Sequence, residues 1–176
     1  WHVDNLKHMI DEYSGLKYDE FEVIETNKYN NWFNKFQMYD RFRDGENLYF
    51  DLDVVIYDRL PNLVRKNFTL LDDTWWREPA HTPLNSSIVS WTGDVSYIWD
   101  MFETFDKKFI EDFKRGSDEW YYKFVKYDTY GKVCPSIKDY LYQQPPQFSI
   151  CTLGQMHHLQ EKGWTGWYSN YFLKSQ

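Results

Sequence analysis

The chain has 176 residues but only two cysteines, Cys134 and Cys151. So few exclude a disulfide-stapled scaffold of the kind small secreted domains use. Lysine and arginine form no run longer than two residues, and the formal net charge is −7. A nucleic-acid surface is therefore not expected, because phosphate backbones demand clustered positive charge. No apolar run approaches the roughly 20 residues that span a bilayer, so no membrane span is expected. No secretory leader is visible at the start. These absences together point to a soluble protein of the cytoplasm. There is no Gly-x-Ser-x-Gly elbow and no glycine-rich phosphate loop, so serine-nucleophile and P-loop chemistry have no support. No internal repeat or low-complexity segment appears.

Aromatic residues are abundant instead, at 21% of the chain, with nine Trp and fifteen Tyr. Core packing is the expected fate of most of them. An aromatic face can also stack on the apolar face of a sugar ring while Trp N–H or Tyr O–H bonds its hydroxyls. Two adjacent tryptophans, Trp75 and Trp76, open a proline-bounded loop with Arg77 and Glu78. One of them is read as core and the other as a sugar platform.

Apolar spacing predicts helices over 2–13, ended by Gly15, and over 32–39, with Asn30 or Asn31 as N-cap. It also predicts helices over 97–105 and 118–127. Strands are expected over 21–24, 47–56, 68–71 and 87–91, with a turn at Asp44-Gly45 and a short helical or turn segment opened by Pro61. Residues 74–84 read as a loop, and the segment after Gly131 as irregular. Alternating strands and helices over this length predict a single α/β domain spanning 1–176. The chain opens on a helix at Trp1. An α/β sheet that starts so is expected to have lost its first strand and its natural N-terminus.

Within the run Asn47-Leu48-Tyr49-Phe50-Asp51-Leu52-Asp53-Val54-Val55-Ile56, two carboxylates stand two residues apart. On one continuous strand both would point to the same face and repel. A divalent cation relieves that repulsion. Mg²⁺ and Mn²⁺ prefer carboxylate oxygens and fill their remaining positions with water and phosphate. Asp51 and Asp53 are thus candidate ligands for Mn²⁺ or Mg²⁺ at a diphosphate site. The competing reading of an Asp-x-Asp is a solvated strand end or turn.

Three segments in order resemble GT-A-type glycosyltransferases of the glycogenin-like and lipopolysaccharide-galactosyltransferase-like group, small bacterial and phage members in particular. They are Trp32-Phe33-Asn34-Lys35, the 48–56 run with its DxD motif, and Asn85-Ser86-Ser87-Ile88-Val89-Ser90-Trp91. The resemblance covers roughly 30–120. It implies a GT-A-like, Rossmann-type mixed sheet flanked by helices. It also implies a nucleoside-diphosphate-sugar donor and a glycan or other hydroxyl acceptor, and it adds a phage-infected cell to the bacterial cytoplasm as the expected setting. Asp53 then binds the metal directly, and Asp51 holds the metal or the ribose. Lys35 compensates the diphosphate charge. Asn85 and Ser86 contact the donor sugar, with Ser87 where the family has Gly. Asp118, in Gly116-Ser117-Asp118-Glu119, is the carboxylate between donor sugar and acceptor and the candidate catalytic residue.

The family's late His-x-x-Gly-x-x-Lys-Pro motif is matched only loosely by Cys151-Thr152-Leu153-Gly154-Gln155-Met156-His157-His158. His157 is the expected third metal ligand, with water as the alternative, since a thiolate suits neither Mn²⁺ nor Mg²⁺. Zinc on Cys134, Cys151, His157 and His158 is disfavoured by the spacing. His81 reads as a solvated loop residue or an acceptor contact. Asp72-Asp73 reads as a solvated turn pair, and the cluster 164–168 as a lid or acceptor patch or, equally, as a docked tail. The alternative to a transferase is a non-catalytic glycan- or nucleotide-binding module, or a phage accessory protein, on the same fold.

Overall fold

The structure is a computed structural model that describes residues 2–24, 29, 31–75, 82–140, 142–153 and 166–173. It is a mixed α/β protein. The chain falls into two compact units. One comprises Trp1–Phe21, Phe50–Asn62 and Lys132–Gln176, the other Glu22–Tyr49 and Leu63–Gly131.

The second unit is built on a four-stranded mixed sheet. Its strands are β1 (Glu46–Phe50), β3 (Thr69–Asp72), β4 (Leu84–Thr92) and β5 (Asp128–Tyr130), in the order β1-β4-β3-β5. β3 runs antiparallel to β4 and parallel to β5. β4 is buried from Leu84 to Trp91, as expected of a strand covered on both faces. β1 is launched from the Asp44-Gly45 turn, where Gly45 has φ 71°. A 3₁₀ helix (Asn31–Phe36) continues into α2 (Gln37–Arg41). α3 (Tyr97–Glu103), α4 (Lys107–Glu111) and α5 (Gly116–Phe124) complete the unit. The spacing did not announce α4. It is one short turn started by Asp106, whose side chain accepts the Phe109 N–H at 2.7 Å.

The core of this unit is aromatic. Phe36 stacks on Tyr121 with centroids 4.8 Å apart and lies 4.5 Å from Phe102. Trp91 and Trp120 are buried beside them. Most polar tips are satisfied: Tyr39 and Tyr121 share a hydroxyl–hydroxyl bond of 2.7 Å, and Trp91 Nε1 donates to the Phe42 carbonyl at 3.3 Å, whereas Trp120 Nε1 is buried without an acceptor among the described residues. Much of the aromatic excess is therefore packing.

In the other unit, α1 (His2–Met9) continues through a π-turn (Ile10–Ser14) to Gly15, whose φ of 68° ends it. β2 (Val54–Ile56) pairs antiparallel with β6 (Ile150–Thr152), Val54 opposite Thr152 and Ile56 opposite Ile150. Near the C-terminus, Trp167 and Tyr168 lie in a 3₁₀ turn (Trp167–Tyr171). Trp167 Nε1 donates to the Tyr140 carbonyl at 2.6 Å, and its ring meets Tyr57 edge-on at 4.8 Å. Over 166–173 the docked-tail reading applies.

Three expectations are corrected. Residues 21–24 run irregularly: four alternating residues with Val23 exposed provide no buried face to hold a strand. The segment after Pro61 is neither helix nor hydrogen-bonded turn but irregular. The run 47–56 is not one strand. It breaks after Phe50 into a turn at Leu52-Asp53 and resumes as β2, which pairs in a separate two-stranded sheet. Among the described residues, no helix is long and apolar enough to cross a membrane.

Candidate functional site

A break in strand register organises the second unit's polar cluster. Leu70 pairs with Val89, but the next residue, Leu71, pairs with Asn85. One step on β3 thus spans four on β4, and Ser86, Ser87 and Ile88 bulge away from β3. A bulge frees backbone groups that must find other partners. Side chains supply them. The Ser86 N–H donates to Asp118 Oδ1 at 2.9 Å, and Ser86 Oγ donates to the same oxygen in a short bond. The Ser87 N–H donates to Asn85 Oδ1 at 2.9 Å. The Ser86 carbonyl accepts from Lys35 Nζ at 3.0 Å. Ser117 Oγ lies 3.2 Å from Ser86 Oγ.

Four expected site residues therefore meet at one bulge. Lys35 comes from the 3₁₀ helix, Asn85 and Ser86 from β4, and Asp118 from the first turn of α5. Ser86 is 1% exposed, while Lys35 and Asp118 are half-buried. The Lys35 ammonium also lies over the Tyr49 ring, 5.5 Å from its centroid, a favourable cation–π geometry. Glu119, next to Asp118, faces elsewhere and pairs with Lys123 at 2.6 Å. The cluster thus offers a fixed cation and a fixed carboxylate beside a kinked strand, an arrangement able to hold a polar, anionic ligand.

Asp51 and Asp53 lie in the other unit, in the turn that joins β1 to β2. The Val54 N–H donates to the Asp51 carbonyl at 3.2 Å, which closes the turn. Asp favours turns over strand interiors, so the two acids break the strand they were expected to ride on. Both are half-buried, and Leu52 between them is 47% exposed. The Leu153 N–H donates to the Asp53 carbonyl at 2.8 Å. The segment resembling the family's late motif therefore enters directly beside the second acid. His157, its expected metal ligand, lies outside the described residues, as do Gly154 and His158. Among the described residues, no three His, Cys, Asp or Glu side chains gather as a metal site. Two carboxylates in a turn suit Mg²⁺ or Mn²⁺ in donor chemistry, since these ions need only one or two protein oxygens when phosphate and water supply the rest.

No family model, curated protein or solved structure matches this chain.

Other candidates are placed as follows. Cys134 and Cys151 are both free and buried. Burial raises both thiols, Cys151 to about 12, which suits inert core residues rather than nucleophiles. Asp72 and Asp73 are not a solvated pair. Asp72 Oδ1 accepts the Thr74 N–H and hydroxyl at 3.0 and 2.6 Å, while Asp73 is 2% exposed. Trp75 is half-buried. Trp76, Arg77, Glu78, His81, Trp164 and Thr165 lie outside the described residues.

Sequence reasoning missed one exposed feature of the second unit, Trp32. Its signal was there to read. Phe33, Phe36 and Tyr39 recur at three-residue spacing and are buried, which leaves Trp32 and Lys35 together on the neighbouring stripe.

Proposed function

We propose that the chain is a metal-dependent glycosyltransferase of GT-A type that moves a sugar from a nucleoside-diphosphate sugar to an acceptor hydroxyl. One observation carries the reading: Lys35, Asn85, Ser86 and Asp118, which the resemblance assigns to the donor side, gather from three separate elements around one bulge. In this reading Lys35, braced by the Ser86 carbonyl, sets a fixed positive charge beside the diphosphate, where negative charge grows as the glycosidic bond breaks. Asp118, oriented by two hydrogen bonds from Ser86, presents an acceptor-only carboxylate to sugar hydroxyls. Asn85 and Ser86 shape the strand kink against which the sugar is positioned. Asp51 and Asp53 would hold Mn²⁺ or Mg²⁺, with His157 or water as the third ligand. Such an ion would act as a Lewis acid toward phosphate oxygens.

The second reading is a glycan- or nucleotide-binding module without transfer. It is favoured by the structural use of Asp118, whose Oδ1 already holds the Ser86 amide and hydroxyl.

A thermal-shift screen of nucleoside-diphosphate sugars with Mn²⁺ tests the proposal. A ligand at a hundredfold excess over its Kd adds about 2.7 kcal/mol to stability. At about 2–4 °C per kcal/mol for a chain of this length, the transition rises by roughly 5–10 °C. The transferase reading expects that rise with at least one nucleotide sugar and its loss in EDTA. A rise with free glycans that EDTA leaves unchanged, and none with nucleotides, supports the module instead.

A further inference from the structure

Among the described residues Trp32 is the one exposed tryptophan, at 58%. Leaving so large an apolar side chain in water forgoes the stabilisation its burial would bring. Yet its position is fixed. A Cβ built on Gly116 would lie 2.6 Å from Trp32 Cε3 and 2.7 Å from Cδ2, and Gly116 has φ +61°. The indole therefore rests on the bare Cα of Gly116, a seat that only glycine leaves open in that backbone conformation. In a 3₁₀ helix, side chains three apart eclipse, so Trp32 and Lys35 rise from the same stripe. Gly116 begins the helix that carries Asp118 two residues on. Ser86 joins Asp118 to Lys35. Trp32, Gly116, Asp118, Ser86 and Lys35 thus form a closed circuit within one unit, with an open aromatic surface at its edge.

We propose that Trp32 is a stacking platform for a pyranose ring, beside the carboxylate of Asp118. A pyranose presents a C–H face that an indole can cover, and hydroxyls at its rim for a carboxylate to accept. A platform seated in advance loses little freedom on binding. The inference rests on the transferase reading for the origin of the ring, which is either the sugar of the donor or that of the acceptor.

Isothermal titration of wild type, Trp32→Ala and Trp32→Phe tests it. The probes are UDP, UDP-glucose, UDP-galactose, GDP, GDP-mannose, lactose and maltotriose, each with Mn²⁺. The expected result is a loss of about tenfold in affinity for a hexose-bearing ligand in Trp32→Ala, with most of it recovered in Trp32→Phe. Affinity for the bare nucleoside diphosphate changes less than about twofold. Loss confined to nucleotide sugars assigns the donor ring, and loss confined to lactose or maltotriose assigns the acceptor ring. Wild-type affinity throughout Trp32→Ala overturns the platform. So does an equal loss for UDP or GDP alone, which would mean base stacking or a structural role. If no nucleotide binds wild type, the transferase reading falls. The platform then stands only if an oligosaccharide binds wild type and weakens about tenfold in Trp32→Ala. If neither a nucleotide nor an oligosaccharide binds wild type, both readings are overturned.

Discussion

Asp118 has two roles in this account, and substitution separates them. As a structural group it accepts the Ser86 N–H within a bulge that β3 does not pair. As the proposed catalytic carboxylate it faces sugar. Asp118→Asn keeps an oxygen acceptor, so its stability in urea should stay close to wild type while transfer is lost. Asp118→Ala leaves a buried N–H without its acceptor and should cost about 1–3 kcal/mol. Unchanged stability in Asp118→Ala would show that the carboxylate does not hold the bulge. Lys35, Asn85, Ser86 and Asp118 were all legible as residue types in a familiar order. Their meeting at one backbone kink was not, because strand register depends on the partner strand rather than on local sequence. Asp73 was misread for a related reason. Acidic pairs usually belong at the surface, and only tertiary packing buries this one.

At the scale of elements, long periodic segments were readable. The helices begun at His2, Asn31, Tyr97 and Gly116 follow their apolar spacing, and the apolar runs 68–71 and 87–91 mark β3 and most of β4, although β4 starts earlier, at Leu84, at the end of the expected loop. Three short elements that extend no longer apolar run, α4, β5 and β6, were not readable. So few residues give no period, and their stability comes from a cap or a pairing partner. The β1–β2 break shows local chemistry overruling an apolar run, since Asp-Leu-Asp turns where its flanks extend. Glycines at element boundaries give a sharp test. Gly45 and Gly116 both have positive φ, but a Cβ at Gly45 meets nothing within 4 Å, whereas at Gly116 it meets the Trp32 ring. Gly45→Ala should cost only the left-handed backbone penalty, about 1–2 kcal/mol. Gly116→Ala should cost measurably more by urea denaturation and should also weaken hexose binding by displacing the indole. Equal costs with unchanged binding would mean that Trp32 is not seated on Gly116.

At the scale of the whole molecule, the alternation of strands and helices was enough to indicate a mixed α/β protein. The division into two compact units was hidden. One unit is assembled from three separated stretches of chain, and pairings such as Val54 with Thr152 join residues that no local pattern connects. The metal reading depends on one of those long-range pairings, because β6 brings the late segment to the Asp53 carbonyl. In the proposed function, Asp51 and Asp53 carry a divalent ion needed to bind a nucleoside diphosphate. The most direct measurement is calorimetric titration of UDP and GDP into wild type and Asp53→Asn, each with Mn²⁺ and with EDTA. The account predicts that wild type binds one of them with Mn²⁺ and not with EDTA, and that Asp53→Asn keeps its fold but loses the Mn²⁺-dependent affinity. Binding that is the same in Mn²⁺ and EDTA, or the same in wild type and Asp53→Asn, would contradict it.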